Sequence, residues 1–246
     1  SYLRDPFPTD IDIINKKIQP FFCRTTKKEL QVPDVNPDII SRIKVTANEQ
    51  KLFEIIAKKY QKNKLALFIR MLQMESNPKM LLQKIDLKDF SSVLDLQTDI
   101  NLIDFVDYAN EVKTIIEDIG ITSKNKECLS LTEKLVNENK KVVIWCIFVD
   151  SIRSIKASLE SMGIKAECIM GEVALEDRIA LTNAFRDGKY DVLITNPHTL
   201  AESVSLHHVC HDAIYYEYSY NLVHLLQSKD RIHRLGLKEG QYTQYY

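Results

Sequence analysis

The fold is decided by one stretch of the chain, Val142-Val143-Ile144-Trp145-Cys146-Ile147-Phe148, in which every residue is apolar. A strand with one face in water alternates polar and apolar residues, whereas a strand covered by helices on both faces is apolar throughout. The stretch therefore predicts a central strand of a parallel sheet that is buried on both faces.

The residues around this stretch continue the pattern of an α/β domain. Ile152, Ile155 and Leu159 follow at helical spacing, and Gly163 stands where a helix would end. Further helices are predicted at 124–138, 174–186 and 221–235, and further strands at 165–169, 191–195 and 213–217. Strands that alternate with helices predict a three-layer α/β domain with a mostly parallel sheet. In such domains functional groups gather at the carboxyl ends of the strands.

The first half of the chain has a different sequence pattern. Residues 1–43 contain five of the seven prolines and are predicted to form an irregular connecting segment. Thr46 and Glu49 form a capping box that starts a helix, and no glycine occurs before Gly120. We therefore predict a linker at 1–43, a helical subdomain at 44–120 and the α/β domain at 121–246.

Composition limits the classes of function. Lys and Arg total 33 against 34 Asp and Glu, a net charge of -1, so nucleic acid would have to bind in a local groove rather than on a broad basic face. The five cysteines are scattered, as expected of reduced thiols in a cytosolic or nuclear protein. No apolar stretch has the length of a membrane span, and no membrane partner is expected.

The most informative polar residues are Gln227, Arg231 and Arg234, which share one face at helical spacing. The planar guanidinium of arginine pairs with phosphate oxygens and stays charged, so this face suits a phosphoryl group. The alternative is an ordinary solvated face, with Lys229 and Asp230 as its neighbours.

The pattern Gln-x-x-x-Arg-x-x-Arg-x-Gly from Gln227 to Gly236 resembles motif VI of superfamily-two helicases, in the form found in Swi/Snf-type ATPases. The resemblance continues upstream in the order of that family. The similar segments are Ile214–Asn221, Glu202–Leu206 (motif V), Gly171–Phe185 with Arg178 (motif IVa), Lys141–Phe148 (motif IV), Ser123-Lys124 and Ile18–Lys27. It implies a RecA-like second motor lobe preceded by a helical insertion.

The resemblance also implies roles for single residues. Arg231 and Arg234 would be arginine fingers, and Gln227 and Glu202 would contact nucleotide. The residues expected to contact the DNA backbone are Ser123, Lys124, Gly171, Arg178, Thr195 and Asn196. Simpler roles stay open for these, namely a helix N-cap at Ser123, an ion pair of Arg178 with a neighbouring acid, and a turn at 195–196. Motif V departs from the family at Leu200-Ala201, Ser203 and Ser205, where relatives carry glycine or asparagine.

The chain shows no Gly-x-x-x-x-Gly-Lys-[Ser/Thr] loop and no Asp-Glu pair at a strand end. The resemblance places ATP and Mg²⁺ between two lobes, so we expect both in the full-length protein and neither to be held by this chain alone. The implied partners are double-stranded DNA and the first RecA-like lobe. The alternative is a nucleotide- or protein-binding α/β module without motor activity.

A cluster of possible metal ligands is formed by His207, His208, Cys210 and His211. Imidazole and thiolate are the ligands that zinc prefers. We expect a structural role and no metal, because adjacent histidines are expected to diverge and no second ligand pair follows. The abundance of Lys, Ile and Asn favours the cytoplasm of a bacterium, associated with the nucleoid, or the nucleus if the source is eukaryotic.

Overall fold

A computed structural model describes residues 8–18, 25–83, 110–197, 199–200, 205–218 and 222–246. The helices are α1 (Pro8–Ile18), α2 (Ala47–Tyr60), α3 (Lys64–Ser76), a 3-10 helix (Pro78–Leu82), α4 (Asn110–Ile119), α5 (Ser123–Asn137), α6 (Val149–Ser161), α7 (Leu175–Arg186) and α8 (Leu222–Lys229). The strands are β1 (Val142–Trp145), β2 (Ala166–Ile169), β3 (Val192–Thr195), β4 (Asp212–Tyr215) and β5 (Gln244–Tyr245). Within the described ranges, no helix is long and apolar enough to cross a membrane.

The five strands form one sheet in the order β2-β3-β1-β4-β5, and every pairing is parallel. The central strand is β1, as predicted. Val142 and Ile144 face a core that α5 and α6 cover, while Val143 and Trp145 face a second core with Phe185 of α7. Successive side chains of a strand point to opposite faces, which explains why every residue of β1 is apolar. The predicted three-layer α/β fold is confirmed.

The last long helix is shorter than predicted. It was expected to run to residue 235, but α8 ends at Lys229 and the chain continues in turns. The Arg231 carbonyl accepts a hydrogen bond from the Leu206 amide at 2.9 Å, and Ile232 is fully buried against the sheet. In a continuing helix that carbonyl would serve the amide four residues on. Tertiary contacts have therefore replaced the final turns of the helix.

The linker is more ordered than its prolines indicated. The prediction of irregular structure throughout 1–43 is wrong, since α1 begins at Pro8, where a missing amide hydrogen costs a helix nothing. Further on, Asn36 donates to the Thr243 carbonyl and Ile39 to the Tyr245 carbonyl, both at 2.9 Å. This pairing covers the otherwise open edge of β5, and no pattern in the sequence predicts it.

The helical subdomain packs on the carboxyl end of β1. Its first helix has the predicted capping box, in which Thr46 and Glu49 satisfy each other's backbone amides. Ile69 and Met80 of the subdomain share a core cluster with Ile147 and Phe148, the residues that follow β1. The subdomain therefore sits at the edge of the sheet where functional groups were expected.

Candidate nucleotide and nucleic-acid sites

The three residues predicted from motif VI line a single cleft of about 220 Å³. We call this the arginine cleft; its lining residues are Lys27, Gln227, Asp230, Arg231, His233 and Arg234. The helix that was expected to align the motif ends before Arg231, so turns rather than helical periodicity bring the side chains together.

The arginine cleft lies toward the amino-terminal edge of the sheet. Residue Gln244 of β5 pairs with Asp212, the first residue of β4, so the chain just before β5 is at that edge. Thr243 there donates its hydroxyl to the Ile232 carbonyl at 3.5 Å. Arg231, next to Ile232, is therefore not at the carboxyl ends of the strands, where general rules for α/β domains had placed the functional groups.

The two arginines of the cleft are held differently. Arg231 is half-buried and its carbonyl is fixed by Leu206; burial lowers the pKa of its guanidinium, and the nearby positive charge of Arg234 lowers it further. Arg234 is exposed, and its Nη1 donates to Ser205 Oγ at 3.4 Å. The guanidinium of Arg231 is thus partly buried in the wall of the cleft, while that of Arg234 is exposed and contacts Ser205.

The linker closes one side of the arginine cleft. Lys27 Nζ forms an ion pair with Asp230 and donates to the His233 carbonyl at 2.8 Å. The imidazole of His233 is in turn within 2.9 Å of the Pro33 carbonyl. Asp230, the one carboxylate among the lining residues, is therefore paired with Lys27, and its negative charge also favours the charged form of Arg231.

Motif V supports the cleft although its sequence departs from the family. The Ser205 hydroxyl contacts Arg234 and lies 2.9 Å from His207 Nδ1, while the Ser205 carbonyl accepts from Arg186 Nη2. Gly236, the last residue of the motif VI pattern, has a φ of +107°, and a Cβ there would lie 2.8 Å from His207 Nε2. Glycine is therefore required at position 236 both by the positive φ and by the close approach of the His207 ring. Only the motif resemblance pointed to Gly236, and nothing in the sequence pointed to His207 as its neighbour.

The histidine and cysteine cluster does not converge on one point. His207 and His208 were expected to diverge, and that expectation is wrong, because their ring centroids are 3.7 Å apart. Cys210 instead turns its thiol to the Lys141 carbonyl at 3.3 Å, and burial raises its pKa to about 12. No group of three or more possible metal ligands occurs within the described part of the chain.

At the carboxyl edge of the sheet, two predicted DNA contacts are engaged with neighbouring strands. Thr195 is fully buried and donates its hydroxyl to the Ile169 carbonyl at the end of β2, at 2.8 Å. Asn196 donates its amide to the Ile147 carbonyl, just after β1, at 3.0 Å. These side chains fix the ends of β2, β3 and β1 relative to one another.

Arg178 clamps the loop between β2 and α7. Its guanidinium donates to the carbonyls of Val173 and Gly171, both at 2.7 Å, and to that of Thr199 at 3.4 Å. The partners are thus carbonyls, and the alternative of an ion pair with a neighbouring acid is wrong. The clamp brings Gly171 and Arg178 together, and it fixes the direction of the loop's backbone.

Ser123 and Lys124 contact the helical subdomain. The Ser123 amide and hydroxyl both donate to Glu49, at 2.7 and 2.6 Å, and Lys124 pairs with Glu75 at 2.6 Å. The N-cap of α5 is Thr122, whose side chain accepts from Asn125, so the N-cap role considered for Ser123 is wrong. In this structure both donors predicted to meet DNA are occupied by carboxylates.

Glu217, after β4, caps the start of α6. Its carboxylate accepts from the amides of Ile147 and Phe148 at 2.6 and 2.9 Å and from the Ser151 hydroxyl at 2.6 Å. Burial raises the pKa of this carboxyl, although these three donors favour its ionised form. Glu202, predicted to bind nucleotide, lies outside the described residues, as do Ala201 and Ser203 of motif V.

Comparison with known proteins agrees with this fold. The helicase conserved C-terminal domain family matches residues 123–236, and no curated protein sequence matches the chain. The C-terminal part of the Fun30 ATPase domain has a similar fold, with a TM-score of 0.61 and 16% identity over 87% of this chain and 85% of that one. The Pyrococcus furiosus Hef helicase domain has a TM-score of 0.56 and 12% identity over 98% of this chain and 62% of that one. Residues 123–236 therefore match the helicase conserved C-terminal domain family, and the fold is that of a RecA-like lobe.

Proposed function

We propose that the chain is the second motor lobe of a Swi/Snf-type, ATP-dependent translocase on double-stranded DNA. The observation that supports this most directly is the arginine cleft, in which Arg231 and Arg234 stand together beside the ion pair of Lys27 and Asp230. Two adjacent guanidiniums repel each other and are stabilised by an anion, and a phosphate is the anion that their planar geometry suits.

The cleft fits one side of a nucleotide site. ATP supplies the phosphoryl group that is transferred, and Mg²⁺ with a phosphate-binding loop would come from the first lobe. Arg231 and Arg234 would then neutralise charge on the γ-phosphoryl oxygens, which is the role of arginine fingers in related chemistry. Gln227, half-buried in the same cleft, would orient the phosphates or contact the first lobe.

The surface beside the cleft is suited to a second protein lobe. Leu222, Val223 and Leu226 of α8 are 64%, 59% and 53% exposed. Contiguous exposed apolar side chains next to charged groups are typical of a surface that another protein surface covers. This supports assigning the face of α8 to the first RecA-like lobe.

The duplex would bind along the carboxyl edge of the sheet. The loop that Arg178 clamps holds Gly171 and its neighbours with fixed backbone direction, and backbone amides are common donors to DNA phosphates. Asn196 and Thr195 shape the next loop, while Ser123 and Lys124 would have to exchange Glu49 and Glu75 for phosphates. Such contacts position the protein on the duplex without reading sequence.

The decisive experiment uses the natural protein with both lobes. We expect ATP hydrolysis that duplex DNA stimulates, together with displacement of a third strand from a triplex placed ahead of the protein. Nucleotide binding without duplex-stimulated turnover would instead support the non-motor module. Turnover stimulated by single strands but not by duplex would exclude the duplex translocase while keeping the ATPase.

A further inference from the structure

The turn between α2 and α3 carries a group of positive charges. We call it the basic tip, and it consists of four exposed residues, Lys58, Lys59, Lys62 and Lys64. No acidic residue occurs between Glu54 and Glu75. Within the described ranges, no carboxylate lies within ion-pair distance of Lys58, Lys62 or Lys64.

Charges are segregated along this helical hairpin. Glu49 near its base holds Ser123, and Glu75 at the other helix end holds Lys124. The acids at the base are therefore used to dock the hairpin on the α/β domain, whereas the lysines lie at the opposite end. Among the described residues of a chain with a net charge of -1, the tip thus forms a local surface of positive charge.

The basic tip lies at the end of the hairpin opposite its base. The base of the hairpin is fixed by Glu49 and by Ser76, whose carbonyl accepts from the Tyr216 hydroxyl at 2.6 Å. The distance from Glu49 to Lys59 along α2 is roughly 15 Å at about 1.5 Å per residue. The lysines therefore lie roughly 15 Å along the hairpin from its base, which holds Ser123 and Lys124, two of the proposed duplex contacts.

The turn that presents the lysines is ordered. Asn63 caps α3 by accepting from the Ala66 amide at 3.1 Å, and its own amide donates to the Tyr60 carbonyl at 2.9 Å. Tyr60 is 2% exposed and packs in the core of the subdomain. Because the backbone is already fixed, a ligand of the tip would pay little entropy for ordering it.

We propose that the basic tip binds the sugar-phosphate backbone of duplex nucleic acid and so forms an additional contact between the motor lobe and the duplex. This rests on the proposed duplex binding and extends it to a second contact surface. Lysine is a point charge that suits phosphates without fixing a base sequence. A membrane surface is disfavoured, because such binding needs exposed apolar side chains among the lysines and the aromatic residue of the tip, Tyr60, is buried.

The test compares two variants with equal loss of charge. The tip variant carries Lys58→Gln, Lys59→Gln, Lys62→Gln and Lys64→Gln; the control carries Lys16→Gln, Lys17→Gln, Lys126→Gln and Lys134→Gln, which are exposed lysines elsewhere. The affinity of this chain for a short mixed-sequence DNA duplex is measured by fluorescence anisotropy at salt from about 50 to 200 mM. We expect the tip variant to bind at least about tenfold more weakly at the lowest salt. The slope of log affinity against log salt concentration should fall in magnitude by about two to four, because each phosphate contact contributes nearly one to that slope.

The outcomes are distinguishable. An equal loss in both variants, or no loss in either, overturns the proposal, as does absence of duplex binding by the folded wild-type chain at low salt. Competition by polyglutamate as strong as that by DNA would overturn it in favour of an acidic protein partner. Unchanged melting temperatures exclude unfolding as the cause. None of these results depends on ATP turnover, so the arginine-finger assignment can fail while the tip proposal holds, and the reverse.

Discussion

The arginine cleft and the carboxyl edge of the sheet differ in how their polar groups are satisfied. At the edge, Thr195, Asn196 and Arg178 donate to carbonyls of the lobe itself. In the cleft, Arg231 and Arg234 line an open space, and burial together with the positive charge of Arg234 lowers the pKa of Arg231. The donors at the edge thus hold the lobe's own backbone, whereas in the cleft two positive charges lie together, where an anion would stabilise both. We therefore expect substitutions at the edge to affect stability first and those in the cleft to affect chemistry first.

The largest expected effect is on ATP turnover. In the protein with both lobes, Arg231→Ala and Arg234→Ala should each lower kcat by roughly 10³ to 10⁵, the range seen where arginine fingers have been removed. Arg234 is exposed, so its loss should change the free energy of unfolding by only about 0.5 kcal/mol. Lys substitutions should restore little activity, because an ammonium lacks the planar fork.

The measurements are kcat, duplex affinity and melting temperature for each variant beside wild type. A normal kcat in both alanine variants would remove the finger assignment. A collapsed melting temperature in the Arg234→Ala variant would show instead that the residue holds the fold.

At the edge, Glu217→Ala should cost roughly 2–4 kcal/mol of unfolding free energy, since it leaves the buried amides of Ile147 and Phe148 without their acceptor. Glu217→Gln should cost much less, because an amide oxygen can accept from both and the amide nitrogen can donate to Ser151. Chemical denaturation of the isolated chain measures both. Equal losses would mean that the charge, rather than the hydrogen bonds, stabilises α6.

In the wall of the cleft, Gly236→Ala should destabilise the lobe by roughly 1–3 kcal/mol through its positive φ, with a further loss from the 2.8 Å approach to His207 Nε2. Gly188→Ala is a matched control, because its φ is +86° and nothing lies within 4 Å of the added Cβ. Adding His207→Ala to Gly236→Ala should recover only the part of the stability loss by which Gly236→Ala exceeds Gly188→Ala. If both glycine variants lose the same amount, the contact with His207 contributes nothing.

The sequence predicted the parts of the fold that depend on local pattern. The apolar run at β1, the capping box at Thr46 and the helix at α5 follow from composition and spacing, and all three are confirmed. The end of α8 does not follow from local pattern. It is set by the hydrogen bond between Arg231 and Leu206, two residues that lie far apart in sequence. The strand β5 has two residues, too few to show a periodicity.

The same distinction applies to the candidate sites. Motif spacing brought Gln227, Arg231 and Arg234 together correctly, although through turns instead of the expected helix. It gave no sign that Glu49 and Glu75 hold Ser123 and Lys124, since these partners come from a different subdomain. Which donors a site offers depends on long-range partners, and a single sequence does not specify them.

The smallest expected effect is a pH dependence of the cleft. Burial lowers the pKa of His207, and the nearby His208, Arg234, His211 and Arg186 lower it further. A histidine whose pKa is lower in the folded state stabilises the fold fully above its unfolded pKa of about 6.5, and this stability is lost as the pH falls below that value. Wild type should therefore lose stability on acidification faster than His207→Gln, which has no proton to bind.

The melting temperatures of the two chains are compared between about pH 7.5 and 5, a range that brackets the unfolded pKa. His211, whose pKa burial also lowers, is present in both chains and cancels in the difference. Neutral His207 leaves its Nδ1 free to accept from Ser205, which in turn accepts from Arg234. In the two-lobe protein the acid limb of kcat should accordingly shift in His207→Gln. Parallel melting curves at all pH values would show that His207 does not titrate in this range and that the cleft is held without it.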